Sequence, residues 1–179
     1  MRRVKATSMI AVLAGLPYAA AAEDGFLSEI KLGALAHDVP VLASRDERGI
    51  DLNVEALFTS PAFLASLGAP RPHVGASINP GGDTSQAYAG LTWEWQPFEV
   101  PLWGAFSLGG AVHDGERRNV REDRKALGSR VLFRLGAEVG YDVSESVRVS
   151  LLWDHISNAG FAEENEGLNN IGVRLGYRF

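Results

Sequence analysis

His155 and Ser157 stand two residues apart in the run Trp153, Asp154, His155, Ile156, Ser157, Asn158, Ala159, Gly160. In an extended strand, side chains two apart leave the same face, so an imidazole at 155 reaches a hydroxyl at 157 and can serve as its base. Asn158 and Gly160 follow at once, offering an amide donor and an unhindered backbone amide where an oxyanion could be held. The chemistry suggested is attack of a serine hydroxyl on an ester. The bland alternative is a chance pairing on a polar barrel rim, since a His and a Ser two apart are common on strands. The remaining histidines, His37, His73 and His113, have no such neighbour in sequence and read as interior or loop residues without metal-ligand spacing. No metal or organic cofactor is expected.

Such a pair needs strands to hold it, and the chain is full of them. Beyond the first two dozen residues, apolar and polar positions alternate with period two in eight segments separated by turn-rich stretches. The first alternates through Ile30, Leu32, Ala34 and Ala36, and the second through Leu52, Val54, Ala56 and Phe58. The third carries Val74, Ala76 and Ile78, and the fourth Leu91, Trp93 and Trp95. The fifth, Leu102 to Val112, is apolar on both faces, which leaves its facing open. The sixth runs through Val131, Phe133, Leu135, Ala137 and Val139, the seventh through Val147, Val149, Leu151 and Trp153, and the eighth through Ile171, Val173, Leu175, Tyr177 and Phe179.

Residues 1–22 set the compartment. Arg2, Arg3 and Lys5 precede an apolar run from Met9 to Leu16, then Pro17 and the small residues Ala19 to Ala22, which reads as a secretory signal peptide cut after Ala22. That leaves 23–179 as a single domain. The leader holds three basic and no acidic side chains, so its loss moves the formal charge from −5 to −8, against a nucleic-acid partner. There is no cysteine, so no disulfide staples the fold.

The polar set on these strands chooses the architecture. Glu94, Arg134, Glu138, Arg148 and Arg174 alternate with the apolar residues. A soluble or lipocalin-like barrel would turn those charges outward. An eight-stranded antiparallel outer-membrane barrel turns the apolar face to lipid and pairs the charges within. The connections favour the membrane reading: the outer loops would be Val39 to Gly49, Pro80 to Asp83, Asp114 to Leu127 and Ala159 to Leu168, two or more of them long and charged, while Gln96 to Val100 and Asp142 to Ser144 are short inner turns. Thr59 to Ala69 is long for an inner turn. Gly81, Gly82 and Asp83 read as a turn, and the run Glu116 to Lys125 as a solvated loop. Phe58, Trp93, Trp95, Trp103, Tyr141, Tyr177 and Phe179 then all fall at strand ends on the periplasmic side, as one girdle of an aromatic belt.

On this barrel His155 and Ser157 continue the outward parity of Leu151 and Trp153, near the outer leaflet. Asn169, with the parity of Ile171 and Val173, shares that face on the adjoining strand and is expected within hydrogen-bond reach of the His155 ring. Asp154 points inward, where Arg148 or Arg174 is its expected partner. Glu163, Glu164 and Glu166 belong to the preceding loop.

The segment His155, Ile156, Ser157, Asn158, Ala159, Gly160, followed by Gly167 and a closing strand that ends in Phe179, resembles the lipid A 3-O-deacylase (PagL) family of Gram-negative outer membranes. The motif covers about the last quarter of the chain. The resemblance implies an eight-stranded barrel that hydrolyses the ester-linked acyl chain at the 3-position of lipid A, with lipopolysaccharide as substrate and outer-membrane lipid as surroundings. It makes Ser157 the nucleophile, His155 the general base and Asn158 an oxyanion contributor. The family's arrangement has a glutamate where this chain has Asn169. An asparagine accepts the imidazole N–H and fixes its tautomer, but does not offset the imidazolium charge. Two functions follow from these residues: an esterase removing the 3-O-acyl chain, or a non-catalytic structural or lipid-binding barrel that keeps the motif's shape.

Overall fold

The computed structural model describes residues 25–41, 47–97 and 99–179, so the segment read as a signal peptide lies outside the described residues. Eight strands follow in order: β1 (Leu27–Ala36), β2 (Ile50–Phe58), β3 (Arg71–Ile78), β4 (Gln86–Trp95), β5 (Leu102–His113), β6 (Val131–Asp142), β7 (Val147–Ser157) and β8 (Leu168–Arg178). Each pairs antiparallel with the next, and β8 pairs back onto β1 to close a barrel. Closure leaves no strand edge unpaired, which is the requirement for backbone in hydrocarbon.

The facing is that of a membrane barrel. Leu32, Val54, Val74, Leu108, Val139, Leu151 and Val173 are exposed on the outside, while Glu29, Lys31, Glu55, Arg134, Glu138, Arg148 and Arg174 are buried within. A soluble barrel would carry the reverse. Inside, the charges are consumed by one another. Arg148 bridges Glu94 at 2.8 Å, Asp142 at 3.1 Å and Glu29 at 3.2 Å. Arg174 bridges Glu55 at 3.0 Å and also Glu138, which in turn holds Lys31 at 2.8 Å.

Two sequence expectations are corrected here. Asp154 pairs with Arg134, at 2.6 Å, and not with Arg148 or Arg174. Strand rise explains it: Arg148 lies six residues down the same strand, about 20 Å away, and Arg174 is level with Ser150, whereas Arg134 faces Ile156 on the neighbouring strand. Gln86 also holds Asp154, donating a hydrogen bond to its other carboxylate oxygen at 2.7 Å. Trp103 does not join the aromatic girdle. It faces inward, 1% exposed, with the Arg148 guanidinium 3.7 Å and the Lys31 ammonium 4.9 Å from its ring centre. With β5 apolar on both faces, position at a strand end did not reveal direction. Gly140 makes the room, since a Cβ there would meet the Trp103 ring at 2.1 Å.

The outer mouth is closed by its own loops. Tyr88, Ala111, Leu127, Leu132, Ile156 and Leu168 form a buried apolar cluster. Lys125, at the end of the charged run, is fully buried instead of solvated. Its backbone N–H donates to Glu47 at 3.0 Å, and Glu47 also accepts from the backbone N–H and the hydroxyl of Thr84, each at 3.0 Å. One carboxylate thus ties the first three outer loops together. At the other end, the turn between β2 and β3 contains a short 3-10 helix, Ala62–Leu67.

Candidate active site

β7 keeps its ladder on both sides to the outer rim. On one side Leu135 and Phe133 of β6 stand opposite His155 and Ser157, and on the other Asn169 of β8 stands opposite His155. Period two then puts His155 and Ser157 on the outer face together, and register puts Asn169 beside them. The His155 Nδ1 is 2.9 Å from Asn169 Oδ1, and its Nε2 is 3.1 Å from Ser157 Oγ. A carbonyl oxygen only accepts, so Nδ1 carries the hydrogen and donates it to Asn169. Nε2 is left with a lone pair aimed at the Ser157 hydroxyl. The three side chains form a line in which the serine proton has somewhere to go.

The line is held from several directions. Asn169 is fully buried, and its backbone carbonyl accepts the Val39 N–H at 2.8 Å, so the first outer loop pins the start of β8. Gly167 has φ 62° and lies against the imidazole, where a Cβ would stand 3.2 Å from His155 Cε1. A side chain there would be strained and would press the ring. The Trp153 indole lies nearly parallel to the imidazole, with ring centres 5.8 Å apart and planes 12° apart. Sequence reading placed Trp153 on this face but missed the stack. The signal was present, because an aromatic two residues from a histidine on one strand face is within ring contact.

Asn158 and Gly160 are not aimed at Ser157. Asn158 is buried, and its side-chain amide donates to the carbonyl of Leu127, at 3.0 Å, and to that of Glu164. Its own carbonyl oxygen accepts the Gly160 N–H at 2.9 Å. The Asn158 amide is thereby spent on holding the fourth outer loop together and against the third, and the Gly160 N–H on closing the turn within the fourth. Gly128, with φ 75°, lets the two loops touch there. Glu166 is engaged by the backbone N–H of Ala126 in the third outer loop, and the His155 ring nitrogens are taken by Asn169 and Ser157.

A second polar knot lies behind the start of β8. His37 is buried between Asp51 and Glu47, each 2.9 Å from one ring nitrogen. Burial opposes its charge, but the two carboxylates outweigh burial and lift its pKa to about 9. Glu47 is held down at about 2, burial being outweighed by the hydrogen bonds it receives from His37, Lys125 and Thr84. Asn170 connects this knot to β8, donating to Asp51 at 2.9 Å and accepting the Asp38 N–H at 3.1 Å. Among the described residues no cluster of three or more His, Cys, Asp or Glu side chains could hold a metal ion.

The family model of lipid A 3-O-deacylase (PagL) matches residues 62–178, a span that includes the whole site. The chain belongs to the PagL family. Among solved structures, the crystal structure of the outer membrane enzyme PagL aligns with a TM-score of 0.59 at 14% identity, covering 83% of this chain and 99% of that one. Neisserial surface protein A aligns with a TM-score of 0.53 at 13% identity, covering 87% of this chain and 98% of that one. A designed transmembrane β-barrel gives 0.54 at 10% identity, covering 88% and 98%. These likenesses carry the fold, an eight-stranded membrane barrel, and the family match adds the PagL relationship. No curated protein sequence matches this chain.

Proposed function

We propose that this PagL-family protein is an outer-membrane esterase, exported by the leader 1–22 and inserted as the barrel 23–179. It removes the ester-linked 3-O-acyl chain of lipid A without a metal or organic cofactor. The observation that carries the reading is the line Ser157, His155, Asn169, three polar side chains hydrogen-bonded in sequence on an otherwise apolar lipid-facing wall. In the reaction the Ser157 hydroxyl oxygen attacks the ester carbonyl carbon while His155 Nε2 takes its proton. The tetrahedral intermediate collapses, the bond to the sugar oxygen breaks, and His155 returns the proton to that oxygen. Water then attacks the acyl-serine by the same route, giving the free fatty acid and restoring Ser157.

Asn169 holds the imidazole tautomer, and the Trp153 ring face favours the imidazolium that forms, a stabilisation a neutral amide does not supply. Asn158 serves by bracing the loop that follows the nucleophile. Leu135 and Phe133 flank the pair, and one outward rung below Trp153 an open apolar groove lined by Leu151, Val139, Val173 and Leu175 continues the face toward the periplasm. The substrate is therefore reached from within the membrane and not through a pore. Neutral Asn169 favours a second reading, a lipid-binding barrel without turnover. Mass spectrometry of lipid A from Gram-negative cells with and without the protein separates the two: loss of one 3-hydroxyacyl chain supports the esterase, and unchanged lipid A in cells with folded barrel supports the binder.

A further inference from the structure

The turn from Thr59 to Pro70 is longer than the other two periplasmic turns, 96–101 and 143–146, and none of its twelve residues is charged. The opposite end of the barrel is built differently: ten of the seventeen residues 114–130 are charged. Within the turn, the 3-10 helix Ala62–Leu67 is fixed in place and is not a loose excursion. Leu64 is buried against the barrel, Gly68 closes the helix in the left-handed region with its N–H on Ala65, and the indole N–H of Trp93 donates to the Leu67 carbonyl at 2.8 Å. So anchored, the helix presents Phe63, 78% exposed, and Leu67, 58% exposed, with nothing among the described residues covering them.

That apolar edge is continuous with the lipid-facing wall. Trp93, which clamps the helix, is itself an outward residue of the periplasmic girdle, beside Phe106 with ring centres 6.4 Å apart. Two large apolar side chains held at the level of a tryptophan belt, on an uncharged segment, match the chemistry of the boundary between headgroups and acyl chains. We propose that the 59–70 turn is a membrane foot, lying in the headgroup layer of the periplasmic leaflet and seating the barrel at a set depth. The occupant of the exposed edge is phospholipid. Depth has a consequence at the other end of the barrel, because β7 is a rigid connection of roughly 30 Å from its periplasmic start to Ser157. A foot fixed at one interface fixes the height of the site at the other.

The absence of cysteine makes the test clean. Phe63→Cys and, as a control in the charged outer loop, Val120→Cys are each labelled with an environment-sensitive fluorophore and reconstituted in phosphatidylethanolamine–phosphatidylglycerol vesicles. Heat-shifted gel mobility verifies folding, and Leu67→Cys is read in the same way if Phe63→Cys does not insert. The label at 63 is expected to emit to the blue of the label at 120 and to be quenched by lipid spin-labelled near the headgroup, independently of protein-to-lipid ratio. Emission at 63 matching that at 120, without lipid quenching, overturns the foot. A blue shift that disappears on dilution into more lipid also overturns it, assigning the edge to a second copy of the chain.

Discussion

The barrel interior and the outer rim of β6, β7 and β8 make opposite use of polar side chains. Within the barrel Glu29, Glu55, Glu138, Arg134, Arg148 and Arg174 are numerous, buried and committed to one another. On the rim only a few polar groups break an apolar wall, yet their chain of hydrogen bonds ends at a partly exposed hydroxyl. The interior pairs hold the wall at a fixed register, and the wall presents the line proposed above to be reactive.

The sharpest way to break the contrast is at the line itself. Ser157→Ala and His155→Ala are each expected to lower deacylation on the order of 10⁴-fold or more, with the double change hardly worse than either. Rates measured on folded, reconstituted protein check this, and independent additive losses would dissolve the unit. Arg134→Met should leave that line intact while removing the shared cation of Asp154 and Glu55. It is expected to destabilise the barrel by about 3–5 kcal/mol, read as the urea midpoint in vesicles. Leu108→Arg, an outward mid-strand change well away from the rim, is expected to cost about 2–4 kcal/mol in the same assay.

Smaller effects sharpen the rim. Trp153→Leu keeps an apolar side chain but removes the ring face, and should lower kcat by about 2- to 30-fold, with Trp153→Phe in between. Asn169→Glu should retain or raise activity by adding the charge that the imidazolium lacks. In the loop knot, the stabilisation from His37 is complete below about 6.5 and is lost as pH rises through about 9. The Glu47 contribution is complete above about 4.5 and fades as pH falls through about 2. Protection of the outer loops against hydrogen exchange, taken relative to the intrinsic rate at each pH, is expected to fall between pH 7 and 10, and His37→Gln should flatten that dependence.

Period two made the eight strands and their facing legible, because lipid outside and charges inside force strict alternation. The proximity of His155 to Ser157 follows from the same period, and that of Asn169 from register across one strand pair. What escaped the sequence depends on shear and on loops. Asp154 finds Arg134 because barrel tilt sets which rungs meet, a quantity no single strand reveals. Trp103 turns inward on a strand with two apolar faces, where alternation carries no sign. Asn158 was read as a donor to the reaction because it follows Ser157, whereas its orientation is set by carbonyls of Leu127 and Glu164 that lie in loops without periodicity.

The central claim is that the Ser157, His155, Asn169 line cleaves an ester presented from the membrane. The direct measurement is mass spectrometry of lipid A after incubation in mixed vesicles with purified wild-type protein or with Ser157→Ala, both verified as folded by heat-shifted mobility. The account expects the wild type to remove one ester-linked 3-hydroxyacyl chain and release it as free fatty acid, and Ser157→Ala to leave lipid A unchanged. Intact lipid A with the folded wild type, or the same loss of acyl chain with Ser157→Ala, would contradict it.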